Sequence, residues 1–325
     1  MVVYFRGDMM IAKHYSTTIY VEALKALYKR LPKDHQKFFL IQNEYHRKVA
    51  GDIGEEVVMK VLEQLQLPYK FYAFHNVTLY AESLFQIDIL IISPYYALIF
   101  EVKNIKGEIS LTVNPQQLVR KLQTGEINVF DSPVPQLAEY EYQLDQIFQQ
   151  KKVPLPIHSA IVMTFNSQII MAPNDVKLLT TKEIKPFLRS LKTTTPLISN
   201  KELENLKQWI LMANKDFLPF PLSKHFSISP DTLLMGVICS NCRLIGMKKI
   251  RHNWFCPRCK IYNKKAYEQA LKDYFLIYKS TMSNNECQQF LKLNNKHEAT
   301  RILKHNMLIK TGQSRNTKYI LSILK

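Results

Sequence analysis

The sequence predicts an α/β protein: a mixed sheet flanked by helices, then a small cysteine-held module and a basic tail of helices and a hairpin. Three observations carry this. Helical and strand-like stretches interleave between residues 34 and 164. Two Cys-x-x-Cys pairs lie thirteen residues apart, and most of the net charge of +17 falls after residue 235.

Tyr20 to Leu31 and Asp34 to Leu67 read as helices broken by Pro32-Lys33, with Asp34 placed to cap the second and Pro68 to end it. Tyr69 to Leu79, Leu84 to Ile92, Ala97 to Val102 and Glu108 to Val113 are β-branched and aromatic enough to be strands. Val134 to Gln150 is helical, and Ser159 to Thr164 is a strand after the Pro154-x-Pro156 break. Helices are expected near Thr181 to Leu191 and Asn200 to Asn214, before a Pro- and Ser-containing stretch from Pro219 to Pro230.

Within the apolar run from Gln86 to Gly107 stand Asp88, Glu101 and Lys103. Charge in a buried strand costs several kcal/mol, on the order of a domain's whole stability, so it needs a reason. Glu101 and Lys103 share a strand face by alternation, and Ser93-Pro94-Tyr95-Tyr96 is a turn that can fold Asp88 back beside them. Two carboxylates from neighbouring strands suit Mg²⁺, which accepts one or two such ligands and keeps several waters. An adjacent lysine can orient the attacking water and stabilise charge on a phosphoryl oxygen. A solvated ion pair on an edge strand is the plainer alternative.

The order of motifs adds to this. Gly51-Asp52-Ile53-Gly54-Glu55-Glu56 opens an amphipathic helix; Gln86-Ile87-Asp88, Glu101-Val102-Lys103-Asn104 and Gly107 come after it, then Gln136 with Tyr140 on a later helix. Over residues 40–165 this series resembles the nuclease-related domain of bacterial proteins, a branch of the PD-(D/E)XK nuclease superfamily. Ile87 stands where the superfamily name has Pro. The resemblance implies a restriction-endonuclease-like sheet, with Asp88 and Glu101 as Mg²⁺ or Mn²⁺ ligands and Lys103 as the catalytic lysine. It also implies Glu55 as an acidic helper and Gln136 and Tyr140 as an element that supports the site and touches DNA. Glu55 and Glu56 also suit a helix first turn through the dipole alone, and Gln136 and Tyr140 also suit an amphipathic surface pair. His46, His75 and His158 lack partner motifs and read as structural.

Cys239-x-x-Cys242 and Cys256-x-x-Cys259 can each present two thiolates to one tetrahedral zinc, which stabilises a module too small for its own core. With four protein ligands the zinc is structural. Trp254 and Phe255 between the pairs either cover that site or stack on bases, and Cys287 stands apart. Paired cysteines of this kind fit a reducing compartment better than a disulfide scaffold.

After a helix over Lys264 to Lys279, Ser283-Asn284-Asn285-Glu286 has the form of a capping box opening a helix that ends near Leu291. Asn295 to His305 is another helix, and Leu308 to Leu321 reads as strand, polar turn, strand. This tail is similar to winged helices. That likeness implies Lys296, Thr300, Arg301 and Lys304 facing a DNA groove and Arg315 and Lys318 meeting phosphates; a protein-docking tail is the alternative. Residues 236–325 hold eighteen Lys and Arg against four Asp and Glu, a local +14 that favours a polyanion.

The expected organisation is a helical extension over 1–40, the nuclease-related domain over 41–218, a linker over 219–235, a zinc ribbon over 236–262 and a winged-helix-like module over 263–325. Neither a secretory signal nor a membrane-length apolar run is present in the sequence, so a cytoplasmic protein is expected, with DNA as partner and no membrane. The expected activity is Mg²⁺-dependent hydrolysis of DNA phosphodiesters. The alternatives are a non-catalytic DNA-binding regulator on a nuclease-like scaffold, and RNA cleavage.

Overall fold

The structure is a computed structural model that describes residues 9–165, 167–216 and 218–324, with the side chains of Met9 and Arg315 outside that set. The chain begins with strand β1 (Met9–Lys13), helix α1 (Ile19–Arg30) and helix α2 (Phe38–Glu63). The described residues fall into two compact units, one within Met1–Thr17 and Val49–Phe217, the other within Thr18–Lys48 and Leu218–Lys325.

In the first unit a six-stranded mixed sheet has the order β1-β2-β3-β4-β8-β10. Its members are β2 (Phe71–Tyr80), β3 (Leu84–Ile92), β4 (Ala97–Lys103), β8 (Ile157–Met163) and β10 (Leu178–Thr180). β2, β3 and β4 run antiparallel, while β1 joins β2, and β8 joins β4 and β10, in parallel. Alternation gives the sheet two apolar faces. Leu90, Ile92, Ala97, Ile99, Ile161 and Met163 meet α3 (Pro133–Lys151) and α5 (Asn200–Ala213) through Leu137, Leu144, Leu206 and Ile210. Ile89, Ile91, Leu98, Phe100 and Val162 meet α2 and α4 (Ile184–Ser190) through Val58, Met59, Leu62 and Leu188. Both faces of β4 are therefore covered, which is why its sequence is almost wholly apolar.

A second sheet of this unit, in the order β7-β6-β5-β9, comprises β5 (Glu108–Leu111), β6 (Gln117–Lys121), β7 (Ile127–Asp131) and β9 (Gln168–Met171). Ile109, Leu111 and Leu118 tie it to the α3 side of the core.

The second unit holds α1, α6 (Leu222–His225), a four-stranded sheet and the tail. The sheet has the order β11-β12-β13-β14, from β11 (Val237–Ile238), β12 (Ile245–Ile250), β13 (Asn253–Phe255) and β14 (Tyr262–Asn263). The tail runs through α7 (Ala266–Asp273), a π-helical turn Tyr274–Tyr278, α8 (Asn284–Leu291), α9 (Lys296–Ile302) and the hairpin of β15 (Leu308–Thr311) and β16 (Lys318–Leu321). Ser283 and Glu286 form the reciprocal capping box expected at the start of α8.

Three expectations change. The 1–40 segment is not a separate helical extension: Met9–Lys13 is a strand in the first unit's sheet, while Ala23, Leu24 and Leu27 of α1 bury in the second unit's core. Helix α2 begins at Phe38 rather than after Asp34, because Asp34–Lys37 form turns in which the Lys37 amide bonds to His35 Nδ1 at 3.1 Å. The 219–235 stretch is more than a linker, since Leu222, Ile228 and Leu233 are buried with α1.

Arg30 pins these pieces. It is fully buried, its Nε donating to Asp273 Oδ2 at 2.9 Å and its Nη1 to the carbonyls of Leu234 and Gly236 at 3.0 and 2.9 Å. Removing one partner of a buried pair strands the other's charge, at a cost of about 3–5 kcal/mol. Asp273→Ala is expected to lower the stability of the second unit by that amount, read from urea unfolding by Trp254 fluorescence in a Trp209→Phe background. A change within experimental error would contradict the role given to this pair.

Candidate functional site

Glu101 and Lys103 lie on one face of the sheet, the face covered by α3, and Asp88 reaches the same end of β4 from β3. Residues 97 and 99 of β4 define that face, and alternation extends it to Glu101 and Lys103. On β3 both Ile87 and Leu90 turn to it, so the alternation breaks at Asp88, and contacts rather than period place that carboxylate. Lys103 Nζ donates to Glu101 Oε1 at 2.5 Å, and Glu101 is buried.

Asp88 sits where β3 leaves the regular ladder. Its pairs with β2 pass from His75↔Ile89 to Val77↔Ile87, skipping Asn76 and Asp88, and its pairs with β4 stop at Ile89↔Phe100. On the β2 side, Asn76 adopts a positive φ of 50° and its carbonyl accepts from Lys13 Nζ at 2.5 Å. On the β4 side, the Asp88 carboxylate replaces a main-chain acceptor, Oδ2 taking the Val102 N–H at 2.9 Å. This exchange holds the Asp88 carboxylate at the end of β4 beside Glu101.

Across from this face, Gln136 Nε2 donates to Tyr140 Oη at 2.8 Å, one turn along α3. The Tyr140 phenol is pushed above its ordinary range by burial, pulled back by Gln136, and raised further by the charges of Glu101 and Asp88. Both carboxylates thus lie near the phenol, so five of the six residues singled out in this region converge.

The sixth, Glu55, is placed by α2. Gly54 lets this helix approach the end of β4 closely: a Cβ there would lie 2.8 Å from Asn104 Cβ and 3.0 Å from Thr164 Oγ1. Asn104 Nδ2 fixes the same end by donating to the Ala50 carbonyl at 2.8 Å. Glu55 Oε2 is 2.7 Å from Nε2 of the buried His75, whose ring lies 5.0 Å from that of Tyr15. Tyr15 Oη in turn donates to Asp52 Oδ2 at 2.7 Å. That His75 and Tyr15 gather around Glu55 could not be read from the sequence, because no motif spacing links three separate elements.

Burial, and then Lys13, push the His75 imidazole down to about 4 from 6.5. It is therefore neutral, with Nε2–H donating to Glu55. Between these values the unfolded chain binds the extra proton, so this contribution is complete above pH 6.5 and is lost as pH falls toward 4, by about 3 kcal/mol. His75→Gln keeps a donor but cannot titrate. It is expected to flatten the acid limb of stability in that window, measured by urea unfolding at stepped pH; parallel curves for the two proteins would contradict this.

In the second unit Cys239, Cys242, Cys256 and Cys259 form the one group of three or more candidate metal ligands among the described residues, with all four sulfurs within 4.8 Å of one another. Tetrahedral zinc with bonds of about 2.3 Å places sulfurs about 3.8 Å apart. The Cys239–Cys259 and Cys242–Cys256 separations of 3.5 and 3.4 Å lie close to that. The two pairs are built alike. Arg243 and Lys260, one after each second cysteine, have φ of 60°, and their amides return to the carbonyls of Cys239 and Cys256.

Lys296, Thr300 and Arg301 on α9 are exposed, as are Lys304 in the turn after it, because the helix ends at Ile302 rather than His305, and Lys318 on β16. The Thr300 hydroxyl is engaged within the protein, donating to the Lys296 carbonyl at 2.9 Å and accepting from Asn284 Nδ2 at 2.8 Å. The Arg315 side chain lies outside the described residues. No helix among the described residues is long and apolar enough to cross a membrane.

Residues 50–164 match the family model of the nuclease-related domain, NERD. The matched span contains Glu55, Asp88, Glu101, Lys103, Gln136 and Tyr140. No curated protein and no solved structure matches the chain.

Proposed function

We propose that the protein is a metal-dependent DNA nuclease with a restriction-endonuclease-like catalytic sheet. The observation that carries this reading is the convergence of Asp88, Glu101 and Lys103 at the end of β4, beside the Gln136–Tyr140 pair, within the nuclease-related span. Asp88 and Glu101 would hold Mg²⁺ or Mn²⁺. They fit it as oxygen ligands from adjacent strands, with waters completing the shell. The ion supplies Lewis-acid stabilisation of a phosphoryl oxygen.

The chain's own residues do the rest. Lys103, oriented by Glu101 Oε1, presents its Nζ to the attacking water and to the phosphoryl oxygen on which charge develops. Asp88 is kept in place by the Val102 amide, so its carboxylate needs no reorganisation when substrate arrives. Gln136 and Tyr140 orient the phosphate from the α3 side, and Glu55, held by His75, adds an acidic group from the interior of α2, where it lies rather than in a first turn.

The four cysteines hold a structural zinc, making residues 236–262 a zinc ribbon. The tail acts as a winged helix, with Lys296, Thr300 and Arg301 of α9 and Lys304 just after it toward a groove and Lys318 of the hairpin on phosphates. Their support is the order of helices and hairpin and the local +14. The test is incubation with supercoiled and linear DNA, with Mg²⁺ and without. Cutting that requires the ion is expected; tight binding with no strand scission under either condition would favour the regulator instead.

A further inference from the structure

The ribbon sheet has one face turned to the core and one turned out. Trp254 pairs with Lys249 and Asn263 across the strands and is fully buried. The next row, Lys248↔Phe255↔Tyr262, faces the opposite way by alternation. In it Lys248 is exposed, Phe255 is half-buried and Tyr262 is 61% exposed. The two rings lie 5.0 Å apart at 41°, and Lys260 Nζ stands 5.8 Å from the centroid of the Phe255 ring. Both ends of the row thus carry cationic or aromatic groups open to solvent, and Ile250 extends the same face at 42% exposure.

A half-buried Phe255 beside an exposed Tyr262 leaves ring faces open to solvent that a partner with flat apolar faces can cover. The charge says which. Residues 236–262 contain Arg243, Lys248, Lys249, Arg251, Arg258 and Lys260 and no Asp or Glu. Even with zinc on four thiolates, which together carry two negative charges, this small module remains strongly positive. Flat apolar faces joined by a polyanionic backbone are the chemistry of an unpaired nucleic-acid strand, bound by stacking and by phosphate contacts. A duplex keeps its base faces stacked internally and cannot supply them.

We propose that Phe255 and Tyr262, rimmed by Lys248 and Lys260, are a stacking site for the bases of single-stranded DNA. The choice of DNA rests on the nuclease reading above; the stacking site itself does not. Trp254, which the sequence left between two roles, belongs to the core, and Tyr262 takes the outward one.

The test uses the zinc-loaded full chain in magnesium-free buffer, so binding is read without cleavage and stands or falls apart from the catalytic reading. Fluorescence anisotropy would compare four probes of about sixteen nucleotides: oligothymidine, an abasic strand of equal length, a duplex and oligouridine. Tyr262→Leu and Phe255→Leu are each expected to weaken oligothymidine binding by about fivefold to a hundredfold, while abasic-strand and duplex affinities stay with the parent's. Lys248→Gln is expected to weaken both single strands and to reduce the salt slope by about one. Zinc content and Trp254 fluorescence report that each variant is folded, and because Tyr262 is exposed its variant tests the site even where Phe255→Leu is unstable. Equal parent affinity for abasic strand and oligothymidine, unchanged oligothymidine binding by Tyr262→Leu, or an equal loss on duplex would overturn the stacking site. Tighter binding of oligouridine than of oligothymidine would overturn its assignment to DNA.

Discussion

Lys103→Ala and Asp88→Ala are expected to abolish Mg²⁺-dependent nicking of supercoiled DNA, with losses of at least about a hundredfold each. Lys103 is half-buried and its ammonium is bonded to Glu101 at 2.5 Å, so its removal takes away a preorganised charge rather than a packed side chain. Asp88 has a second duty in accepting the Val102 amide, and leaving that amide without an acceptor costs about 1–3 kcal/mol. Asp88→Asn separates the two duties. Its amide oxygen still accepts from Val102, yet it brings no charge to a cation, so a folded and inactive Asn variant is expected. Nicking by Lys103→Ala or Asp88→Asn at the parent's rate would show that the chemistry lies elsewhere.

Removing the proposed zinc is expected to be the other large effect. The module that it would hold has Met247, Trp254, Cys239 and Cys256 in the core, but its strands β11, β13 and β14 are only two or three residues long. Strands that short cannot hold a fold by pairing alone. Structural zinc contributes on the order of 10–16 kcal/mol in comparable small modules. Chelation, or Cys256→Ser, is expected to expose Trp254, shifting its emission to the red in a Trp209→Phe background, and zinc is expected to reverse the chelator's effect. Emission unchanged after complete removal of the metal would contradict a structural role for these thiolates.

Features set by local chemistry were legible in the sequence. β3 spans Leu84–Ile92 as expected, and β4, α3 and α5 fall within two residues of their expected bounds, because long apolar or strongly periodic segments leave little choice. The Ser283 capping box could be read for the same reason. β1 was missed: Met9–Lys13 is five residues long, and its place in the sheet comes from pairing with Phe71 to Phe74, some sixty residues away. β6, β7 and β9 were missed because half of their residues face solvent and carry no apolar alternation.

The site divides the same way. Glu101-x-Lys103 could be placed on one face from the period of a strand alone. The bond from the Val102 amide to Asp88, the grip of Lys13 on the Asn76 carbonyl, and the cluster of Glu55, His75 and Tyr15 depend on tertiary contacts between elements with no shared spacing. Trp254 and Phe255 are neighbours in sequence, so composition could not tell which faced inward; the pairing of β12 with β13 decides it.

The most direct test is a titration of the zinc-loaded protein with Mn²⁺, monitored by electron paramagnetic resonance, with no DNA present. One Mn²⁺ site is expected in the parent, persisting in Lys103→Met and disappearing in both Asp88→Asn and Glu101→Gln. Retention of that site when either carboxylate is neutralised, or its absence from the parent, would contradict the assignment of Asp88 and Glu101 as the pair that holds the ion.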